Sequence, residues 1–230
     1  GTIASKPSEN GALAPAISAD EILEFVPELE DICHIEALEL YDLDSTDMGP
    51  EQWIGIASAI RDNYDKFDGF VITHGTDTMA YTASALSYMI QHSRKPVILT
   101  GSQKSIYKRD TDARRNLIQA FTYAASDLAF GIQIVFDSKV ILGTRARKVR
   151  SKSFNAFSSI DYPETAVFRD ERLITFLKPE DDGEKVCFSL KLDNRVFVLR
   201  LVPGIRLDIC SLLYPSYKAV VIEGFGVGGL

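Results

Sequence analysis

Cysteine is scarce in this 230-residue chain: there are three, Cys33, Cys187 and Cys210, far apart and odd in number. That excludes a disulfide framework, and their spacing is not one that holds zinc. The expectation is buried, reduced thiols in a reducing compartment. Histidine is equally sparse, and His34, His74 and His92 lack metal-ligand spacing. No apolar run approaches the ~18 residues that would cross a bilayer, and no signal peptide is visible. Positive charge is in deficit: 25 Lys and Arg against 32 Asp and Glu leave a net charge of −7. This argues against nucleic acid or an anionic membrane as the main partner. No internal repeat or low-complexity tract occurs.

What remains is ordinary globular composition, 46% hydrophobic and 25% charged, enough for one full domain and part of another. Runs at 67–73, 96–100, 131–136 and 139–142 are short, apolar and rich in β-branched residues. They predict buried strands of a sheet covered on both faces. Between them lie helical patterns. In "PEQWIGIASAIRDNY", Trp53, Ile56, Ala57, Ile60 and Tyr64 share one helix face, and in "TDARRNLIQAFTYAA" Ala113, Leu117, Ala120, Phe121 and Ala124 do the same. Pro50 suits a first helical turn, and Ser18 with Glu21 forms a capping box ahead of Pro27. The alternation predicts an α/β fold with a doubly wound, mostly parallel sheet. "LITFLKP" and "KVCFSL", split by "EDDGEK", are expected to form a hairpin closing this first domain at about residue 190. "RVFVLRLVP" and "YKAVVIEGFGVGG" then read as the start of a second, smaller α/β domain over 191–230. The expectation is that the first strand is missing and that the second domain is cut short.

In open parallel sheets, ligands sit outside the carboxyl ends of the strands. "FDGFVITHGTDTMAYTASAL", residues 67–86, ends a strand in Thr76 and Asp77, with Gly75 allowing the turn and a helix opening at about Thr78. The N-terminus of that helix aims unpaired N–H groups at the same place. "GTIAS" brings Thr2, "LDSTDM" brings Asp44, Ser45 and Thr46, and "LTGSQ" brings Ser102. Any one of these segments alone reads as helix capping. Several together in one α/β domain make capping alone a weaker account.

The motifs "GTIAS" and "THGTDTMAYTASALSYM", with "DSTDM", "TGSQ" and "LGTRARKVRSKSFNAFSSIDYP", resemble the bacterial-type L-asparaginase (asparaginase/glutaminase) family. The likeness is closest to its cytoplasmic type I branch and covers essentially the whole chain. It implies hydrolysis of L-asparagine, and of L-glutamine to an undetermined extent, through a threonine nucleophile and a covalent acyl intermediate. Thr2 matches the nucleophile, and Thr76, Asp77 and Lys148 match a second cluster in which a lysine polarises a threonine. The match makes Asp77 the partner of the substrate ammonium. Ser45, Thr46 and the Asp44–Ser45 backbone are expected to hold its carboxylate, helped by the helix near Pro50. Backbone N–H groups near Thr76 and Ser102 are both candidates for the amide oxygen. Arg145, Arg147, Arg150 and Lys152 crowd Lys148 in sequence, and that run reads equally as a solvated face. The chemistry requires neither metal nor cofactor, and the family implies a homodimer or homotetramer.

One feature departs from the pattern. Many relatives carry a tyrosine in the loop after the first motif. Here "ASKPSENGALAPAIS" puts Ala12 there, and no tyrosine precedes Tyr41. Either another residue activates Thr2, with Tyr107 a candidate, or the Thr76–Lys148 pair does. Two rival readings follow. One is the asparaginase-like subunit of a tRNA-dependent glutamyl amidotransferase, which shares these motifs and a "GALAPA"-like loop. The other is an inactive amino-acid-binding module.

Overall fold

A computed structural model describes the chain except residues 8–12, 16–17, 179–182, 207, 209, 212–214 and 227–230. The position of Ala12, the first half of the "EDDGEK" turn and the end of "GFGVGG" lie outside the described residues. The chain divides into two compact units, Gly1–Leu190 and Lys191–Leu230. In the first, β1 (Ser5–Pro7), β2 (Leu13–Pro15), α1 (Ala19–Glu24) and α2 (Pro50–Asn63) precede the main alternation. That alternation comprises β3 (Phe70–Thr73), α3 (Met79–Met89), β4 (Ile90–Gln91), β5 (Val97–Thr100), α4 (Ala113–Ala124), β6 (Ile132–Phe136) and β7 (Lys139–Leu142). Five short strands close the unit: β8 (Ala146–Lys148), β9 (Phe157–Ser159), β10 (Ala166–Arg169), β11 (Arg172–Thr175) and β12 (Cys187–Phe188).

The fold is α/β, as the alternation predicts. The main sheet runs β11-β10-β7-β6-β5-β3. Strands β3, β5 and β6 are parallel, and antiparallel pairings extend the sheet through β7, β10 and β11. Side chains alternate across it, as the strand period demands. On one face, Val97, Leu99, Ile134 and Phe136 pack with Ile56, Ala57 and Ile60 of α2 and with Met79, Ala83 and Leu86 of α3. On the other, Ile98 and Val135 meet Ala120 and Tyr123 of α4. Both faces are covered, and each large buried side chain contributes roughly 1.5–3 kcal/mol. The α2 face read from the sequence supplies this core, with Trp53 and Tyr64 half-buried at its margin, while on α4 Ala120 joins it and Ala113 and Leu117 pack in a separate cluster with Ile3, Ile22 and Leu29. Tyr123 is an addition to the expected core. Its buried phenol takes a hydrogen bond from Gln133, and burial pushes its pKa up to about 12.

The Ser18 capping box forms with both of its hydrogen bonds, and Pro50 opens α2. Two expectations need correction. "LITFLKP" and "KVCFSL" do not pair with each other: β11 pairs with β10, and β12 pairs with β4. A two-residue turn at Asp170–Glu171 closes the β10–β11 hairpin at little entropic cost, and the "EDDGEK" connection is far longer. The cysteines are free but not buried: Cys187 and Cys210 are exposed and Cys33 is half-buried. In the second unit, β13 (Val196–Arg200) and β14 (Ala219–Glu223) pair in parallel. No helix among the described residues is long and apolar enough to cross a membrane.

Candidate active site

The carboxyl ends of β3 and β5 carry the loops that begin at His74 and Gly101, and glycine lets these loops pack closely. A methyl group on Gly75 would come within 2.5 Å of Ser45 Oγ, and one on Gly1 within 2.7 Å of the Gly75 Cα. The segments bearing Thr2, Ser45 and Thr76 therefore meet almost backbone to backbone, a distance that no larger residue permits. The Thr78 hydroxyl, instead of capping α3, donates to the Ser45 carbonyl across 2.6 Å and ties two of these segments together. The first N–H groups of α3 keep no side-chain cap, which leaves the positive end of the helix available to an anion or a developing oxyanion.

Lys148 joins this cluster from β8. Its Nζ donates to Thr76 Oγ1 at 2.8 Å and to Asp77 Oδ1 at 2.6 Å. Strand alternation turns Lys148 inward, with its side chain 14% exposed, while Arg147 points to solvent. Two others of the basic run are held elsewhere: Arg145 lies over the Tyr162 ring, and Arg150 donates to the Asn155 carbonyl. Asp77 is 60% exposed, so its second oxygen is open to a cationic ligand.

The remaining predicted residues are less directly joined. Thr2 begins a short 3-10 turn, half-buried, and its hydroxyl has no hydrogen-bond partner among the described residues. Ser45 is buried. The Asp44 carboxylate accepts from the Thr46 N–H and hydroxyl, both at 2.8 Å, and these bonds hold its pKa below the usual carboxylate range. Asp44 and Thr46 thus cap the turn that carries Ser45. Ser102 is buried, and its hydroxyl donates to the Lys104 carbonyl. Tyr107 packs edge-on against Phe25, with ring centroids 4.9 Å apart. The backbone beside it is bonded to the Thr2 segment, through the Ile106 N–H and the Ile3 carbonyl.

Three contributors do not stand out in the sequence. Gln103, next to the expected Ser102, reaches Thr76 Oγ1 at 3.4 Å. Buried Asp112 accepts the Gln103 and Lys104 N–H groups, and Asn116 braces both Asp112 and the Gly101 carbonyl. Asp112 and Asn116 are four apart at the start of α4, a spacing that puts both on one helix face and could have pointed to them. Behind the loop, His74 Nδ1 is 2.7 Å from the Gly75 carbonyl and Nε2 is 2.9 Å from the Thr82 hydroxyl, to which Trp53 Nε1 donates at 3.0 Å. Burial lowers the pKa of His74 against the opposing effect of the Gly75 bond.

Residues 1–181 match the sequence model of a family described as "Asparaginase, N-terminal". The chain belongs to the asparaginase family. Among relatives of this asparaginase-family chain, the L-asparaginase of Thermococcus kodakarensis is 42% identical over 231 residues, covering all of this chain and 70% of that protein. Its solved structure matches with a TM-score of 0.92. The structure of L-asparaginase I from Vibrio cholerae, 33% identical, matches at 0.89, covering all of this chain and 71% of that one. A glutamyl-tRNA(Gln) amidotransferase subunit from Metallosphaera sedula is 38% identical over 244 residues, covering 99% of this chain and 55% of that protein. The asparaginase-family chain therefore spans little more than half the length of that amidotransferase protein.

Proposed function

We propose that this chain hydrolyses the side-chain amide of L-asparagine to L-aspartate and ammonia, with Thr2 as nucleophile. The observation that carries the reading is the Lys148–Thr76–Asp77 cluster, set beside the backbone contact of Gly1 with Gly75. Thr2 Oγ1 attacks the amide carbon, and its proton passes to the leaving nitrogen. The C–N bond breaks, ammonia departs and an ester to Thr2 remains. Water then adds to the ester, freeing aspartate and restoring the Thr2 hydroxyl. The open oxygen of Asp77 pairs with the substrate ammonium, and Ser45 with its backbone receives the carboxylate. Thr76, held by Lys148, orients the group that gives up its proton at each step. A site matched by hydrogen bonds to both ends of a free amino acid rejects analogues that lack either. Assembly as a homodimer or homotetramer and a cytoplasmic location belong to the same reading, by family resemblance.

A second reading is favoured by the 38% identity to an amidotransferase subunit: the ammonia would be handed to a partner acting on charged tRNA. Ammonia release from L-asparagine and L-glutamine by the full-length protein separates the two. The asparaginase reading expects turnover of asparagine without a partner. Release that needs glutamine and a second subunit favours the amidotransferase, and binding without release favours a binding module. Thr2→Ala should lower kcat at least about a thousandfold, and Lys148→Met about a hundredfold or more. Wild-type turnover in Thr2→Ala would remove the nucleophile from the mechanism.

A further inference from the structure

The Gln103 carboxamide has no part in the chemistry above, yet its neighbours dictate how it points. Its Nε2 lies 3.2 Å from the Ser151 carbonyl and 2.9 Å from the Ser153 carbonyl. Both are acceptors only, so the nitrogen must face them and Oε1 must turn the other way. There it meets Thr76 Oγ1 at 3.4 Å. Thr76 accepts from Lys148 Nζ on one side at 2.8 Å, so its own proton has to be donated elsewhere. Gln103 Oε1 is the acceptor facing it.

We propose that Gln103 is a positioning residue with two linked jobs, resting on the asparaginase reading for its effect on turnover. Its NH2 group fastens the 149–156 loop, which begins one residue after Lys148. Its oxygen holds the Thr76 proton, so that the remaining Thr76 lone pair faces the crevice and is free to accept from water or substrate. The Gln103 backbone is itself anchored, with its N–H 2.9 Å from Oδ2 of buried Asp112. The 3.4 Å separation is long for a hydroxyl bond, and catalytic hydrogen bonds commonly tighten when substrate binds.

Gln103→Met and Gln103→Glu in the full-length protein, compared by steady-state kinetics and by hydrogen exchange over 149–156, test both jobs. Methionine keeps the length and removes donor and acceptor together. It should lower kcat about tenfold with KM within about twofold, and speed exchange in the loop. Glutamate keeps an acceptor for Thr76 but sets its other oxygen against two carbonyls. It should loosen the loop as methionine does yet retain more kcat. The proposal is overturned if Gln103→Met turns over like wild type, or if both variants lose kcat equally for equal loosening, since Gln103 would then only fasten the loop. A wild-type protein that releases no ammonia counts against the asparaginase reading instead. In that case unchanged exchange over 149–156 in both variants still overturns the proposal.

Discussion

At His74 the direction of every hydrogen bond follows from one atom. The Gly75 carbonyl can only accept, so Nδ1 carries the proton, Nε2 accepts from the Thr82 hydroxyl, and Thr82 accepts from Trp53 Nε1. Protonating Nε2 would break this chain in a buried place. The folded-state pKa is accordingly below the ~6.5 of an unfolded histidine. As pH falls through ~6.5 the unfolded chain takes up a proton that the native chain refuses, so stability drops with acidification until the native ring also protonates. His74→Gln, which can still donate and accept, should flatten that slope in denaturant melts taken on either side of pH ~6. Equal slopes in the two proteins would show that His74 does not carry the effect. In the sequence the histidine stands out only as part of a motif, because a buried role depends on Trp53 and Thr82, which fold against it from two helices. Thr76 and Asp77 are legible as short polar groups after a strand, whereas Lys148, one of several basic residues in its run, is singled out only by the family resemblance. Gln103 is not legible: attention to small hydroxyls favours Ser102, which turns onto its own loop, and passes over the longer side chain next to it.

Among the elements, strand existence is legible in the sequence and strand pairing is not. Apolar β-branched runs mark β3, β5, β6 and β7 within a few residues, because burial between two helix layers demands that composition. Pairing direction depends on the turns. Asp137 and Ser138 have φ of 47° and 66°, and Asp170 and Glu171 have 47° and 64°. Positive φ at both central residues is the type I′ geometry that closes β6–β7 and β10–β11 as tight hairpins. Neither "DS" nor "DE" is the Asn-Gly signal for such a turn, so the second hairpin is hidden and a different one is suggested further on. Glu171 is the less tolerant of its pair, since a left-handed conformation costs a side-chain-bearing residue about 1–2 kcal/mol. Glu171→Gly removes that strain and gives back about 0.5–1 kcal/mol in unfolded-chain entropy, so a net gain of about 0.5 kcal/mol is expected. Glu171→Val, β-branched at the same φ, should cost more than about 1 kcal/mol. Urea midpoints would measure the divergence, and indistinguishable variants would show that the turn holds no such strain.

At the scale of the whole chain, Gly1–Leu190 holds the packed main sheet and Lys191–Leu230 a two-stranded pair. In Gly1–Leu190 the site is assembled from segments far apart in the chain: the Lys148 bonds to Thr76 and Asp77 span 72 and 71 residues. Such contacts persist only where a covered sheet fixes the strand ends, and the two packed faces of the main sheet provide this. Lys191–Leu230 has no comparable core among its described residues. Its β13–β14 pair leaves Val196, Val198, Val220, Val221 and Ile222 between 42% and 54% exposed. Two strands without a covering layer are marginal in water, and parallel pairing normally demands cover on both faces. A stretch of this size also buries too small a fraction of its surface to offset the entropy of ordering it. A peptide of residues 191–230 should therefore be unfolded by itself, with a coil-like circular dichroism spectrum and narrow amide dispersion. Residues 1–190 should melt cooperatively. A cooperative transition in the isolated peptide would mean that the two strands and their crossover hold a core of their own, and that the second unit folds independently of its surroundings.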